Sequence, residues 1–405
     1  MKNNDSKKYD VVIIGAGAAG LMCAIRAGER GLSVLIMDKA ERVGKKILIS
    51  GGGRCNFTNL HIEPSAYLSP NPHFCKSALS RYTQWHFIEL LEKHGLSYRE
   101  KTLGQLFCQQ KSAAIVQMLI DEVSRHRVDI ALNESIIGVD RHNATYQIDS
   151  ETQRVSSKQL VVACGGPSFP KLGSTDFALQ IAKQFGIKKT PFSPALVPLT
   201  LPPAMLEKCR PLAGVSHRVH ITCREMAFTE NLLFTHRGLS GPVILQISSY
   251  WQKGDSLRID LCPDIDLYNE LIKAKKTTPQ RLLSQFLSGY MPKKLAAMLT
   301  QWYFNDGTLQ QLSNKQLADV TKQLQHWQIT PSGSEGMKKA EVSRGGVHPD
   351  SLSGKTFACR QQAGLYFIGE AVDVIGWLGG YNFQWAWSSG WCCGDSLQRY
   401  NKITG

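Results

Sequence analysis

The sequence predicts an α/β chain: a Rossmann-like nucleotide-binding domain opened by a long insert and closed again by its C-terminal part. Three observations carry this. A glycine fingerprint lies between an apolar run and a helical pattern near the N-terminus. A strand, a Gly-acid pair and a second glycine-rich turn follow near the C-terminus. Between them a proline-rich break is followed by a change of periodicity.

The first segment is YDVVIIGAGAAGLMCAIRAGERGLSVLIMDKA. Val11 to Ile14 reads as a short buried strand, Leu21 to Arg30 as a helix and Ser33 to Met37 as the next strand. Gly15, Gly17 and Gly20 fit G-x-G-x-x-G, and Asp38 stands 18 residues after Gly20. Gly15 permits a tight turn, Gly17 lets the backbone approach a pyrophosphate closely, and Gly20 lets helix and strand pack together. The helix N-terminus, with Ala18 and Ala19, presents free N–H groups to phosphates. Asp38 is placed to accept from a ribose hydroxyl. A lone G-x-G-x-x-G is weak; strand, helix, second strand and terminal acid in register make dinucleotide binding the expectation.

The C-terminal segment GLYFIGEAVDVIGWLGGYNFQWAWSSGWCCG has Leu365–Ile368 as a returning strand and Gly369-Glu370 as its Gly-acid pair. Glu370 would meet the ribityl chain of a flavin, and the helix after Gly379-Gly380 would aim its N–H groups at the ring or the pyrophosphate. Ala386, Gly390 and Gly394 recur every four residues, giving that helix one face narrow enough for close packing. Trp387 and Trp391 read as core. A third piece, QLVVACGGPSFPKLGST, ends a strand at Val162 and turns through Ala163, Cys164, Gly165 and Gly166. Before it, VDIALNESIIGVD and ATYQIDS read as strands, and the backbone near Ile136 is an edge for an adenine. These pieces select FAD as the dinucleotide.

The stretch SPALVPLTLPP, with four prolines, marks the way out of the nucleotide-binding domain. We expect residues 1–195 to form its first part, 196–342 the insert and 343–405 its returning part. The insert reads as β-rich over 196–265 and helical over 266–330.

The bulk numbers limit the function classes. With 42% apolar and 20% charged residues the chain is globular rather than disordered. The excess of 47 basic over 33 acidic residues gives +14, but no concentrated Arg/Lys tract appears, so nucleic acid is not the favoured partner. The 11 cysteines form neither CxxC pairs nor His/Cys clusters at zinc spacing, so no metal is expected and reduced, cytoplasmic thiols are. The uncharged run Val11–Ile25 spans 15 residues, too short for a membrane span and explained by the glycine motif. No second G-x-G-x-x-G is visible, so NAD(P)H is expected only as a transient co-substrate.

Together GGGRCNFTN, CGGPSFPKLGSTDFALQIAKQFG, LLFTHRGLSGPVILQIS and GGYNFQWAWSSG resemble the BaiN/YhiN-type, or HI0933-like, flavoproteins. The resemblance spans nearly the whole chain. It implies an FAD-binding domain of the glutathione-reductase type whose insert holds a small β-barrel and a helical subdomain. By motif position it implies pyrophosphate contact at Gly15, Gly17, Ala18 and Gly20, with adenosine contact at Asp38 and Lys39. Lys45 and Lys46 would lie beside the phosphates or ring, and Glu370, Asp373, Asn382 and Phe383 would close the other end. Gly52, Gly53, Arg54, Ala163, Gly165, Gly166, Gly369 and Gly380 join the candidate cofactor contacts.

Two side chains are candidates for chemistry. Cys55 follows three glycines and Arg54. A helix start after the glycines would lower its pKa, so a reactive thiol and one merely packed beside the cofactor both stay open. No cysteine close in sequence completes a redox pair. His236, in FTHRGLSGP, is a candidate proton donor or a structural histidine. The expected activity is FAD-dependent oxidoreduction, driven by NAD(P)H, of an unidentified small molecule such as a conjugated carbonyl or steroid-like compound. The alternatives are a flavin-containing RNA-modification protein and a non-enzymatic flavin sensor.

Overall fold

The computed structural model describes residues 7–399. The chain divides after Ser193 and after Glu341 into two units: Met1–Ser193 with Val342–Gly405, and Pro194–Glu341.

The first unit is built on a seven-stranded sheet. Strand β1 (Lys7–Ile14) pairs in parallel with β2 (Val34–Asp38) and with the strand Arg154–Val162. Asp129–Leu132 extends the sheet beyond β2, and Leu365–Phe367 extends it beyond Arg154–Val162, both in parallel. The strands Ile136–His142 and Thr145–Ser150 form an antiparallel hairpin that runs into Arg154–Val162. Val11, Val12 and Ile13 are wholly buried, as the unbroken apolar run requires for a strand covered on both faces. Burying each contributes about 1.5–3 kcal/mol.

Helix α1 (Ala18–Glu29) covers one face, and the C-terminal helix Tyr381–Ser396 packs directly on it. The reason is the small face of that helix. A Cβ on Gly390 would stand 2.4 Å from the Ala19 carbonyl oxygen, and one on Gly394 would stand 2.5 Å from that of Cys23. Trp387 is core: it stacks on Phe87 at 4.4 Å, and its indole N–H donates to the Phe57 carbonyl at 2.9 Å. Ser33 stands outside β2, where its N–H and hydroxyl both donate to Asp10 at 2.8 and 3.0 Å.

The second unit carries its own antiparallel sheet. The strands run in the order Trp327–Ile329, Leu257–Asp260, Ser216–Cys223, Met226–Thr235, Gly238–Ser240, Leu199–Thr200, Gly333–Ser334. No pairing among the described residues joins the two end strands, so an open sheet stands where a small barrel is expected. The helices Leu267–Thr277, Leu283–Leu287, Lys293–Tyr303 and Asn314–Gln325 fill the stretch read as helical, with Trp327–Ile329 returning to the sheet. Its core is separate, around Phe234, Ile259, Leu295 and Trp327. No helix among the described residues is long and apolar enough to cross a membrane.

Candidate nucleotide-binding site

The register of the parallel strands brings the motifs together. Ile14 lies beside Met37 and Val162, and Val162 beside Phe367. The residues that follow, Gly15, Asp38, Ala163 and Ile368 with Gly369 next to it, therefore gather at one end of the sheet. Open α/β sheets bind ligands at the carboxyl ends of their strands.

The three glycines divide as the fingerprint requires. Gly15 has φ +115°, and a Cβ there would meet the Ala163 carbonyl oxygen at 2.6 Å. A Cβ on Gly20 would fall 1.9 Å from the Gly15 oxygen. Gly17 differs: no protein atom lies within 4 Å of where its Cβ would stand. It caps α1, whose first turn has no side-chain cap and no acidic residue. The helix thus opens its N–H groups, with their partial positive charge, onto free space beside Gly17, which fits a pyrophosphate. Ala18 is half-buried and Ala19 buried.

Asp38 is fastened to the backbone. Its two oxygens accept the N–H of Ala16 at 2.6 Å and of Ala40 at 2.8 Å. The Glu134 N–H donates to the Asp38 carbonyl at 2.9 Å, so the chain two residues before Ile136 abuts the end of β2. Ile136 itself is half-buried at a bulge against Ser150. Lys39 is exposed.

Glu370 is the hub of the opposite side. The Lys46 ammonium stands 2.8 Å from its Oε2, while Oε1 accepts from the Ser343 N–H at 2.7 Å and the Ser168 hydroxyl at 3.0 Å. Lys46 also donates to Ser168 Oγ at 2.9 Å, and the Ser343 hydroxyl accepts from the Ser168 N–H at 2.9 Å. Burial pushes the Glu370 carboxyl up, but the charge and hydrogen bond of Lys46, with the Ser343 and Ser168 donors, hold it below the usual carboxylate range. The Gly165-Gly166 turn fits against this group: a Cβ on Gly165 would lie 3.5 Å from Glu370 Oε2, and one on Gly166 would lie 2.7 Å from Ser343. Gly369 is buried, and its N–H donates to Ser389 Oγ at 3.0 Å. Lys45, on the same short helix α2 (Lys45–Ile49), is 3.6 Å from Glu41.

At the far end Gly380, with φ +98°, caps the C-terminal helix, and a Cβ there would clash with the Thr58 carbonyl at 2.3 Å. Asn382 is a strap: it accepts from the Gly376 N–H and donates to the Gly376 carbonyl, each at 2.8 Å. Phe383 stacks on Trp387 at 5.6 Å. Asp373 is 4% exposed and accepts the Gly345 N–H at 3.1 Å, so it is turned to backbone.

Cys55 departs from the reactive reading. The glycines lead not to a helix but to a 3-10 turn (Ser50–Gly52) and then to the strand Asn56–Asn59. Cys55 itself is wholly buried at φ +50°. Burial above all pushes its thiol up to about 12; a hydrogen bond from Ser50 opposes this and the nearby Cys108 adds to it. Cys55 leads into a strand and not a helix start, and around it Gly52 and Arg54 are exposed and Gly53 is half-buried. The fold brings Cys108 opposite, its N–H donating to the Cys55 carbonyl at 3.3 Å, with both thiols free. All cysteines are buried except Cys164, which is intermediate. A thiol-exchange reagent is therefore expected to label no residue other than Cys164 quickly in the native protein. Cys55→Ala is expected to keep turnover within about twofold. Rapid labelling of Cys55, or loss of activity in that variant with flavin still bound, would reinstate a reactive role.

His236 is exposed in the turn Thr235–Gly238 of the second unit. Elsewhere Glu29, Glu122 and His126 come close enough to share an ion. The buried Glu122 already faces Lys93 at 3.3 Å, His94 at 2.6 Å and Arg125 at 2.5 Å, which makes it an ion-pair centre. Ser168 and Ser343 are the site residues that sequence reasoning missed: one follows a glycine turn and the other lies in the strand Val342–Val347, and in either place a serine carries no signal of its own.

Comparison with known proteins gives the family. The HI0933-like protein Rossmann domain family matches residues 9–396. A ribosomal RNA dihydrouridine synthase of Escherichia coli (strain K12) is 48% identical over 96% of this chain and 98% of its own. A 3-dehydro-bile acid delta(4,6)-reductase of Clostridium scindens is 29% identical over 94% and 97%. Among solved structures, a 3-ketosteroid-delta4-(5alpha)-dehydrogenase from Rhodococcus jostii RHA1 superposes with a TM-score of 0.50 at 11% identity, covering 97% of this chain and 98% of that one, a likeness of fold alone. With the strand-end glycines, the returning Gly-acid pair and a family match over nearly every described residue, this chain belongs to the HI0933-like family.

Proposed function

We propose that the protein is an FAD-dependent oxidoreductase that reduces a uridine of ribosomal RNA to dihydrouridine, with NAD(P)H as the electron source. The observation that carries this is the near full-length likeness, at 48% and 45% identity, to two relatives named for that activity. It reverses the order of preference drawn from the sequence, in which the motifs put a small molecule first and the charge pattern does not favour nucleic acid.

The chemistry joins the two readings. The C5=C6 bond of uracil is conjugated to the C4 carbonyl, as the double bond of an enone is. Saturating either bond takes a hydride at the carbon remote from the carbonyl and a proton at the carbon beside it. FAD supplies the hydride chemistry when bound, and the protein supplies position and electrostatics. In this reading the space at Gly17 and the N-terminus of α1 hold the pyrophosphate. Asp38, Lys39 and the chain at Ile136 border the adenosine. Glu370, fixed by Lys46, meets the ribityl hydroxyls, and the helix that starts at Gly380, strapped by Asn382, faces the ring. The +14 charge supplies the attraction to a polyanion.

The test uses flavin-loaded protein, NADH or NADPH, and ribosomal RNA from cells that lack this protein. Nucleoside mass spectrometry is expected to find new dihydrouridine, and RNA binding is expected to weaken by roughly tenfold or more between about 50 and 200 mM salt. Unchanged RNA, together with turnover of a 3-keto-4-ene steroid, would move the protein to the small-molecule reading, which the bile-acid relative favours.

A further inference from the structure

The strands Tyr98–Glu100 and Gln105–Cys108 form a hairpin closed by the Lys101 N–H, which donates to the Gln105 carbonyl at 2.8 Å. At its tip stands Leu103, the most unusual apolar residue outside the core. The residue is 63% exposed and belongs to neither core cluster. Its backbone is left-handed, φ 59° and ψ 36°, a conformation that glycine or asparagine adopts far more readily. A single exposed leucine needs no explanation. One held where leucine is disfavoured, with no core contact to compensate, does.

The tip is also fixed in place. The buried Asn59 donates through one amide nitrogen to the Leu103 carbonyl at 3.0 Å and to the Gly379 carbonyl at 2.9 Å. The Leu60 N–H donates to the Gly104 carbonyl at 2.8 Å. Gly379 opens the turn into the C-terminal helix, and a Cβ on it would meet Gln105 Cγ at 2.9 Å. One clamp therefore ties an exposed apolar point to the helix start that the proposed function places at the flavin ring. Arg99 and Lys101 flank it, both exposed.

We infer that Leu103 is a wedge that enters the base stack of the ribosomal RNA as the target uridine turns out toward the flavin. This rests on the function proposed above. A stacked uridine cannot present its C6 to a cofactor held at the end of a sheet, so it must leave the stack. Proteins that unstack bases fill the gap with apolar side chains, and cations beside the wedge hold the phosphates. A free steroid or enone needs no such device.

The test compares wild type with Leu103→Gly, which suits the left-handed backbone and so keeps the fold, and with Leu103→Met, which keeps a long apolar side chain. Leu103→Gly is expected to melt no lower than wild type, to be bleached by NAD(P)H at the same rate, and to modify ribosomal RNA roughly tenfold more slowly or worse. Leu103→Met is expected to retain most of the activity. On a short single-stranded RNA carrying the same uridine, where no stack has to open, Leu103→Gly and wild type are expected to match. Wild-type rates on ribosomal RNA in Leu103→Gly, or equal losses on both RNAs, would overturn the wedge while leaving the function standing. A wild-type protein that makes no dihydrouridine would remove both.

Discussion

Gly17→Ala is expected to fold as the wild type does and to lose flavin. Its backbone, φ −85° and ψ −173°, is ordinary for alanine, and no protein atom lies within 4 Å of the new methyl group. Apo-protein stability is therefore expected to stay within about 0.5 kcal/mol. The methyl group would occupy the space assigned to the pyrophosphate and push it off the helix N-terminus. FAD affinity is expected to fall by roughly a hundredfold or more, close to 3 kcal/mol. Gly20→Ala is the contrasting variant. Its methyl group would stand 1.9 Å from the Gly15 carbonyl oxygen, and backbone cannot step aside. That change is expected to cost about 3 kcal/mol of stability and with it the cofactor. Thermal unfolding of apo-protein and fluorescence quenching on FAD addition separate the two effects. Tight FAD binding by a stably folded Gly17→Ala protein would show that the pyrophosphate lies elsewhere.

Lys46→Met removes the cation from Glu370. Side-chain exposures of 32% for Lys46 and 19% for Glu370 place the pair between surface and core. The several kcal/mol lost when a fully buried pair is broken is therefore reduced to about 2 kcal/mol here. The pH dependence identifies the cause. Burial raises the Glu370 carboxyl and Lys46 outweighs it, so the folded state holds Glu370 below its unfolded value. Such a group stabilises the fold above its unfolded pKa and ceases to as pH falls through the lowered folded one. The deficit of Lys46→Met is thus expected to be largest near neutral pH and to shrink in acid, where Glu370 is protonated in both proteins. Denaturant midpoints measured between about pH 3 and 7 would show the two curves converging. A constant offset would mean that Lys46 stabilises through packing alone. The same variant is expected to hold FAD more weakly, since Glu370 would lose its fixed orientation.

Much of the nucleotide-binding unit is legible in sequence because its signals are local. G-A-G-A-A-G, the strand before it and Asp38 after it are neighbours in the chain, and Gly15 and Gly20 answer contacts within the same short segment or its adjacent strand, while Gly17 faces open space. The Gly-acid pair at Glu370 is legible for the same reason. What surrounds Glu370 is not. Ser168 lies 202 residues away in sequence, and only the pairing of the parallel strands brings it within a hydrogen bond. The residues next to Cys55 mislead: a glycine run precedes many helices, but here it feeds a strand, and burial reverses the expected direction of the pKa. Cys108 opposite it gives no signal, for want of any short spacing. Leu103 is hidden by its type, since a leucine between a threonine and a glycine counts as core until its exposure and backbone are known.

The split of the nucleotide-binding unit has a consequence for biosynthesis. Its sheet needs both β1 and Leu365–Phe367, and its helix layer needs Gly390 and Gly394 seated on α1. On the ribosome the N-terminal half emerges first, yet it lacks a strand, the Glu370 hub and the helix that covers α1. The intervening unit, with its own core, has what it needs to fold while the first half waits. With flavin in the proposed site, its capture is expected only after the chain has been made past Ser396. A prematurely terminated product would remain colourless and would expose the apolar face of α1 to proteases. Cofactor capture would in effect certify that both halves of this unit have been made.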